Sequence, residues 1–289
     1  MLFRSIMITI DTKDIPTQLL QQYLQAAIAP RPICFASTID KSGNVNLSPF
    51  SFFNLFSMNP PVCIFSPSRR VRDNTTKHTL ENLKEVPECV INMVNYSMVQ
   101  QVSLASCEYP KEINEFVKAG FTPMPSEIVK PPRVAESPIQ LECVVQEIIS
   151  LGEKAGAGNL VLAEIKRIHI QESVIDENKK IDPLKLDLVA RLGEDWYTRV
   201  TKESLFTVEK PNTQLGIGID QLPNCIKNNP DFSNNEKAQL ANVNVMPVHE
   251  LMNYAGKISR AVVLEIKSAL EKNDTQQAWK IIETSILHQ

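Results

Sequence analysis

Residues 66–79 hold the side chains whose types and spacing best fit a chemical task. They include three arginines, a lysine and several hydroxyl groups, with Asp73 as the one acid. Such groups suit a phosphate monoester, because arginine offers a planar fork of donors and lysine a compact charge. Thr79 is a candidate N-cap for a short helix, whose first N–H groups would also face an anion. The segment predicts phosphate binding; the alternative is a basic loop that meets only solvent.

A second segment, residues 48–54, alternates hydroxyl, aromatic and amide groups along what we predict to be a strand edge. A flavin ring needs apolar walls for its two faces and hydrogen-bond donors along its polar edge. Serine and asparagine side chains and backbone N–H groups can supply those donors. The alternative is a core strand whose serines cap a bend, and taken alone this segment favours that alternative.

The rest of the sequence must form the fold that positions these two segments, and its residue pattern predicts short strands. A helix is predicted over residues 15–28, and residues 40–44 form a hairpin turn in which Gly43 can take a positive φ. The predicted strands cover residues 33–39, 45–47, 62–66, 88–94, 141–151 and 160–170. Many short strands separated by turn signals indicate an antiparallel barrel rather than alternating strands and helices.

The character of the chain changes near residue 200. We predict one domain over residues 1–200 and a loop with a helical extension over residues 201–289. Within the extension, residues 247–271 carry an amphipathic helical pattern and residues 276–287 a second one. These helices are expected to pack on the barrel or on a partner subunit.

Composition narrows the class of protein. The chain has 289 residues and a net charge of −3, which gives no sign of nucleic-acid binding. The apolar stretch at its start is too short for a membrane span, so a cytoplasmic protein is expected. No cysteine pair has the spacing of a zinc ribbon, and no metal site is predicted. Four cysteines in apolar runs are expected to be reduced core residues: Cys34, Cys63, Cys89 and Cys143.

Several motifs, in order along the chain, carry a family resemblance. They include Pro30-Arg31-Pro32-Ile33, Gly43-Asn44-Val45-Asn46, the whole of residues 48–54, Lys77-His78-Thr79 and Arg191-Leu192-Gly193. Over roughly the first 200 residues the chain resembles the flavin reductase-like, FMN-binding split-barrel proteins, of the longer NAD(P)H:flavin oxidoreductase type. The resemblance implies a mainly β fold, a six-stranded antiparallel Greek-key split barrel with peripheral helices. It also implies a homodimer with FMN near the subunit interface.

The resemblance further assigns contacts to the cofactor. The residues implied to line the isoalloxazine ring are Pro49, Phe50, Ser51, Phe52 and Asn54. Those implied to hold the phosphate and ribityl chain are Ser66, Arg69, Arg70, Lys77 and Thr79.

Three positions extend or depart from the family pattern. Arg31 is expected to approach the ring or the dimer seam. His78 replaces the aspartate usual in the family, which makes the loop more cationic. Asn159 stands where relatives often have a histidine that contacts the flavin, and it is taken as a candidate contact.

The function implied is hydride transfer from NADH or NADPH to FMN, in which the cofactor carries the chemistry and no catalytic side chain is named. A monooxygenase or another electron acceptor is a candidate partner. Two alternatives stay open. One is an oxidoreductase that keeps FMN bound and reduces a substrate directly; the other is an FMN-holding electron-transfer or storage protein without NAD(P)H turnover.

Overall fold

The computed structural model describes residues 7–208, 210, 211, 213, 215–245, 247, 254 and 256–287. The chain divides into two compact units, Met1–Leu205 and Phe206–Gln289. The first unit contains all the strands and five α-helices of the described chain, and the second contains four α-helices.

Strands dominate the first unit. In chain order they are β1 (Cys34–Ile39), β2 (Val45–Phe50), β3 (Phe53–Met58), β4 (Pro61–Phe65), β5 (Glu88–Met93), β6 (Pro123–Met124), β7 (Arg133–Val134), β8 (Ile139–Ser150), β9 (Asn159–Ile170), β10 (Val189–Gly193) and β11 (Trp196–Arg199). The helices are α1 (Thr17–Ala27), α2 (His78–Glu85), α3 (Val99–Ala105), α4 (Glu115–Ala119) and α5 (Pro183–Leu186). The mainly β class with peripheral helices is therefore confirmed.

Seven of these strands form one antiparallel sheet in the order β2-β1-β5-β8-β9-β4-β3. The prediction of six strands was wrong, because β3 is an additional strand that the sequence pattern did not separate from β2. Among the described residues no pairing joins the edge strands β2 and β3, so the sheet is open rather than a closed barrel. The longest pair is β8 with β9, which runs from Ile139 opposite Ile170 to Ser150 opposite Asn159.

The sheet is apolar on both faces, and β1 shows why. Its alternate residues Cys34 and Ala36 belong to one buried cluster, with Phe65 of β4. Phe35 points the other way and joins a second cluster, where its ring centroid lies 5.2 Å from that of Phe121. Successive strand residues face opposite sides, so a strand buried on both faces reads as an unbroken apolar run. The core therefore fixes the strands on which the polar segments are carried.

The hairpin turn predicted over residues 40–44 is present between β1 and β2. The Asp40 carboxylate accepts hydrogen bonds from the N–H groups of Ser42 and Asn44, each at 2.9 Å. Gly43 has φ +91°, a conformation that glycine adopts without steric cost. The helix predicted near the start of the chain is α1, which ends before the cap residue Ile28.

Cysteine chemistry also follows the prediction. The six cysteines are free, and the four expected in the core are buried. Burial raises the pKa of Cys63 to about 11, and burial likewise raises the pKa of Cys34. These thiols are therefore protonated near neutral pH and act as small apolar side chains.

The second unit has a helical core of its own. Its helices are α6 (Asn224–Lys227), α7 (Asn234–Ala241), α8 (Arg260–Glu271) and α9 (Thr275–Leu287). Trp279 is buried there, and its indole N–H donates to the carbonyl of Leu240 at 3.0 Å. The prediction over residues 276–287 is confirmed as α9. The helix predicted over residues 247–271 begins only at Arg260, after the N-cap Ser259, and residues 248–253 and 255 lie outside the described residues.

Two kinds of feature are absent from the part of the chain that the structure describes. No helix there combines the length and apolar character needed to cross a bilayer. The same residues contain no group of three or more His, Cys, Asp or Glu side chains arranged to hold a metal ion.

Candidate functional site

Three segments that are far apart in sequence meet at one end of the sheet. The backbone N–H of Ser66 donates to the carbonyl of Phe52 at 2.9 Å. The N–H of Asn159 donates to Ser66 Oγ at 3.1 Å, and the N–H of Arg69 donates to the carbonyl of Ala157 at 2.8 Å. The fold thus brings the aromatic-hydroxyl segment and the basic loop into contact and adds residues 156–159 as a third wall.

The aromatic-hydroxyl segment divides its side chains between the core and the surface. Phe50 is buried, with its ring centroid 5.5 Å from that of Phe65, so only its backbone is available to a ligand. Pro49 and Ser51 are half-buried, whereas Phe52 is 43% exposed. Asn54 is exposed, and its Oδ1 accepts the N–H of Leu55. Phe52, Pro49 and Ser51 are the side chains free to meet a planar ring.

The arginines of the basic loop are engaged by other residues. Arg69 donates to the side chain and the carbonyl of Asn74, each at 2.7 Å, and so holds the loop closed. Arg70 Nε lies 3.0 Å from Glu108 Oε1, and the same guanidinium donates to two threonines of the loop. Arg72 Nη2 lies 2.7 Å from Glu108 Oε2. Glu108 therefore partly neutralises two of the three arginines.

Lys77 is different from these arginines. It is the half-buried N-cap residue of α2, and within the described residues its ammonium group has no ion pair. Burial lowers the pKa of Lys77, the charge of Arg70 lowers it further, and Glu108 opposes both. The first N–H groups of α2 lack intrahelical partners. A desolvated cation thus stands at a helix start, which is a favourable place for a phosphate.

Thr79 does not cap α2, contrary to prediction, because the helix already begins at His78. Its buried hydroxyl donates to Asn46 Oδ1 at 2.6 Å, and Asn46 Nδ2 donates to Glu115 Oε1 at 2.8 Å. Burial raises the pKa of Glu115. The Thr79 hydroxyl therefore anchors α2 to β2, and its backbone N–H is the group left for an anion.

Two residues of the site were missed by sequence reasoning. Ser68 Oγ is buried and has no hydrogen-bond partner within the described residues. A Cβ atom on Gly158 would lie 2.8 Å from Ser66 Oγ and 4.0 Å from Ser68 Oγ, so only glycine lets this backbone lie so close to the Ser66 hydroxyl. The glycines between β8 and β9 were the available signal for Gly158. Ser68 lies within the predicted phosphate loop, but its residue type did not distinguish it from the other hydroxyls there.

Arg31 and Asn159 have clear structural contacts. Arg31 donates to the carbonyls of Gln25 and Ile28 and so closes the end of α1; its backbone pairs with Arg191, not with the basic loop. Asn159 is buried, and its Nδ2 donates to the carbonyl of Pro67 at 3.1 Å. Asn159 thus fixes the start of the basic loop, whereas Arg31 lies against a different part of the sheet.

Comparison with known proteins supplies an independent line of support. A family model described as the flavin reductase like domain matches residues 27–185. A protein of unassigned function from Aquifex aeolicus is 34% identical over 191 residues, which cover 66% of this chain and 95% of that protein.

Solved structures give the same answer for the fold. Nitrilotriacetate monooxygenase component B from Bacillus cereus aligns with a TM-score of 0.66 and 28% identity, over 71% of this chain and 100% of that one. A Shewanella frigidimarina protein assigned as a flavin reductase with a split barrel domain aligns with a TM-score of 0.58 and 25% identity, over 68% of this chain and 96% of that one.

Proposed function

The chain belongs to the flavin reductase like domain family, and from this membership we propose that it binds FMN and catalyses hydride transfer to it from NADH or NADPH. The observation that carries the proposal is the state of two side chains in the basic loop, residues 66–79. Lys77 is a half-buried cation at the start of α2 with no ion pair among the described residues, and the Ser68 hydroxyl is buried without a partner among them.

The basic loop suits the phosphate end of FMN. Lys77 and the N–H groups at the start of α2 would bind the phosphate oxygens. Ser66 and Ser68 would supply hydroxyls. Arg70 would contribute positive charge at longer range, because its donors are already taken by Glu108 and the loop. Phosphate binding, as proposed, thus depends more on Lys77 than on the arginines.

The ring would lie against the aromatic-hydroxyl segment. Phe52 and Pro49 offer apolar surface, and Ser51 and the backbone N–H groups between β2 and β3 offer donors. Bound FMN would supply the two-electron chemistry of a nicotinamide-dependent reduction. The protein's task is to hold the ring, exclude water from one face and leave the other open to the donor.

The edge strand β3 supports a homodimer with FMN near the interface. Leu55, Phe56 and Met58 are exposed on β3, Phe56 to 65%, and an exposed apolar edge strand is a site for association. The similarity to a monooxygenase component supports a monooxygenase as one class of electron acceptor. Free buried thiols fit a reducing, cytoplasmic compartment. We assign the flavin chemistry to the first unit, which contains every residue of the proposed site.

The test is anaerobic addition of NADH or NADPH to FMN-loaded protein, followed by the visible absorbance of oxidised flavin. We expect one of the two donors to bleach the band in the presence of protein much faster than in its absence. Bound FMN that neither donor bleaches would contradict the reductase function and favour an electron-transfer or storage role. Turnover with excess free FMN then shows whether the reduced cofactor leaves the protein.

A further inference from the structure

A cavity of about 370 Å³ opens between the β10–β11 hairpin and the start of α3, and no residue of the proposed flavin site lines it. A Cβ atom on Gly193 of the hairpin would lie 3.3 Å from Ala26, near the end of α1. One on Gly156, beside the basic loop, would lie 3.3 Å from Thr17, at the start of α1. Because a helix of this length rises about 15 Å, the cavity and the basic loop lie at opposite ends of α1.

Strand register places cationic and aromatic side chains on the wall of this cavity. Val189 pairs with Arg199 and Arg191 with Tyr197, so these four residues share one face of the hairpin. The Arg191 guanidinium carbon lies 4.5 Å from the ring centroid of Tyr197. That of Arg199 lies 3.7 Å from the ring centroid of Tyr96. Each arginine thus makes a cation–π contact with a tyrosine ring, and these contacts fix the positions of the aromatic side chains that line the cavity.

The charges of these arginines are not equally balanced. Arg199 makes two hydrogen bonds to the Asp187 carboxylate, at 2.7 and 2.9 Å. The Arg191 guanidinium donates to the carbonyl of Glu194. Within the described residues no carboxylate lies within ion-pair distance of Arg191, so its charge faces the cavity without a counter-ion.

A second unbalanced guanidinium lies next to Arg191. Arg31 is directly opposite Arg191 in an antiparallel bridge, so the two side chains lie on the same face, where like charges repel. Arg31 is only 7% exposed, its Nε has no partner and, in the described chain, it has no carboxylate either. Burial lowers the pKa of Arg31, and the charge of Arg191 lowers it further. The exposed Asp195 also lines the cavity but makes no ion pair with either arginine among the described residues, so the charge of Arg191 is available to a monoanion.

From this geometry we propose that the cavity binds an aromatic carboxylate, with the carboxylate on Arg191 and the ring against Tyr197 and Tyr96. Guanidinium and carboxylate match in a planar, two-bond geometry, and tyrosine faces stack on aromatic rings. The volume suits a ligand of one or two rings. Gln100, on α3, also lines the cavity and can bond a ring substituent.

Benzoate is the probe, measured by calorimetric titration of the full-length protein, with benzamide and cyclohexanecarboxylate as matched ligands. We expect saturable benzoate binding, at least about tenfold weaker binding of benzamide, which lacks the charge, and weaker binding of the non-aromatic acid. Arg191→Gln should weaken benzoate at least about tenfold. Arg167→Gln is the control, since Arg167 is an exposed arginine on β9 that pairs with Glu127 outside the cavity.

Several results would overturn the proposal: no benzoate saturation up to ~10 mM, equal binding of benzamide, or unchanged affinity in a folded Arg191→Gln protein. Equal binding of cyclohexanecarboxylate would contradict the proposed contact between an aromatic ligand ring and the two tyrosines. Circular dichroism checks the fold of each variant. If Arg191→Gln does not fold, Tyr197→Leu provides the second test, and benzoate affinity that survives it unchanged contradicts the assignment. None of these measurements depends on FMN binding.

Discussion

At the scale of single residues, the basic loop divides its cations between holding itself together and facing a ligand. Arg69 closes the loop on Asn74, and Arg70 and Arg72 share the carboxylate of Glu108. Lys77 alone combines partial burial, the start of a helix and no ion pair among the described residues. Replacing one of these cations is therefore not equivalent to replacing another, although the sequence presents them as a single run.

FMN affinity should depend on pH through two groups. It should rise with pH through about 6, where a phosphate monoester loses its second proton. It should fall again in the alkaline range, at lower pH than for an ordinary lysine, because burial and Arg70 lower the pKa of Lys77. Fluorescence titration of FMN binding across pH measures both the rise and the fall in affinity. Lys77→Arg should shift the alkaline fall in affinity to higher pH, and a fall at unchanged pH would contradict the role of Lys77.

Glu108→Gln should increase FMN affinity at neutral pH by about 1.5- to 5-fold, because it removes the carboxylate that competes for Arg70 and Arg72. Glu112→Gln is the matched control, since Glu112 is an exposed glutamate nearby that makes no ion pair in the described structure. FMN titrations of the two variants and the wild type give the comparison. Weaker binding in Glu108→Gln would show instead that Glu108 positions the loop for the ligand.

Sequence reasoning could select this loop as a candidate, because a run of cations with one acid is a local signal. It could not find Glu108, which joins the loop from more than 30 residues away through tertiary contacts. Nor could it find the close approach of Gly158 to Ser66, which exists only once β9 lies beside the basic loop. The same limit applies to Phe50: its type suited a ring wall, but the strand register turns its side chain into the core.

At the scale of elements, β3 is a strand that the sequence pattern could not predict. Apolar segments bounded by turn signals predicted β1, β5, β8 and β9 well, because each of these strands contributes several buried residues to the core. The β3 strand lies at the sheet edge with apolar residues exposed on it, so its residues do not alternate between core and solvent. A bend at Ser51 and Phe52 separates it from β2. The additional strand places Phe52 beside Ser66, so it contributes to the site as well as to the fold.

A buried carboxylate holds another element in place. Glu142 on β8 accepts hydrogen bonds from the backbone N–H groups of Glu127, Ile128 and Val129 and lies 2.7 Å from His169 Nε2. Glu142→Gln turns an amide toward these donors and should cost about 1–3 kcal/mol of unfolding free energy. Urea unfolding measures the loss. Glu147→Gln, on the same strand but exposed, should be nearly neutral, and equal effects of the two substitutions would contradict this role.

The same carboxylate gives stability a defined pH dependence. Burial alone would raise the pKa of Glu142, but hydrogen bonds from Glu127, Ile128 and His169 outweigh burial and hold the pKa below its ordinary value. Its contribution is therefore present above the unfolded-state pKa of about 4.3 and is lost as pH falls through the lower folded-state value. The difference in unfolding free energy between wild type and Glu142→Gln should therefore decrease in that acid range.

At the scale of the whole molecule, the chain is two units with separate cores. The residues of the proposed flavin site lie in the first unit, and the family model ends at residue 185. The second unit is built around Trp279 and lies beyond that match. The sequence predicts a helical extension after residue 200, but its composition and helical periodicity carry no chemical signal that assigns the role of the second unit.

A chain ending at Leu205 should fold and bind FMN within about threefold of the full-length affinity, a difference of less than 1 kcal/mol. The physical reason is that the sheet, α2 and the basic loop are all contained in the first unit. Circular dichroism and FMN titration provide the comparison. A folded, truncated protein that has lost FMN binding would show that the second unit contributes to the site.

FMN titration of the wild type, Lys77→Ala and Arg72→Ala side by side is the most direct measurement. The wild type should bind FMN saturably. Lys77→Ala should weaken binding by about 10- to 150-fold, or about 1.5–3 kcal/mol, through loss of a charge-assisted bond. Arg72→Ala, which removes the same charge from a solvent-exposed residue paired with Asp73 and Glu108, should have a much smaller effect. No FMN uptake by the wild type, or equal affinities for wild type and Lys77→Ala, would contradict the flavin site described above.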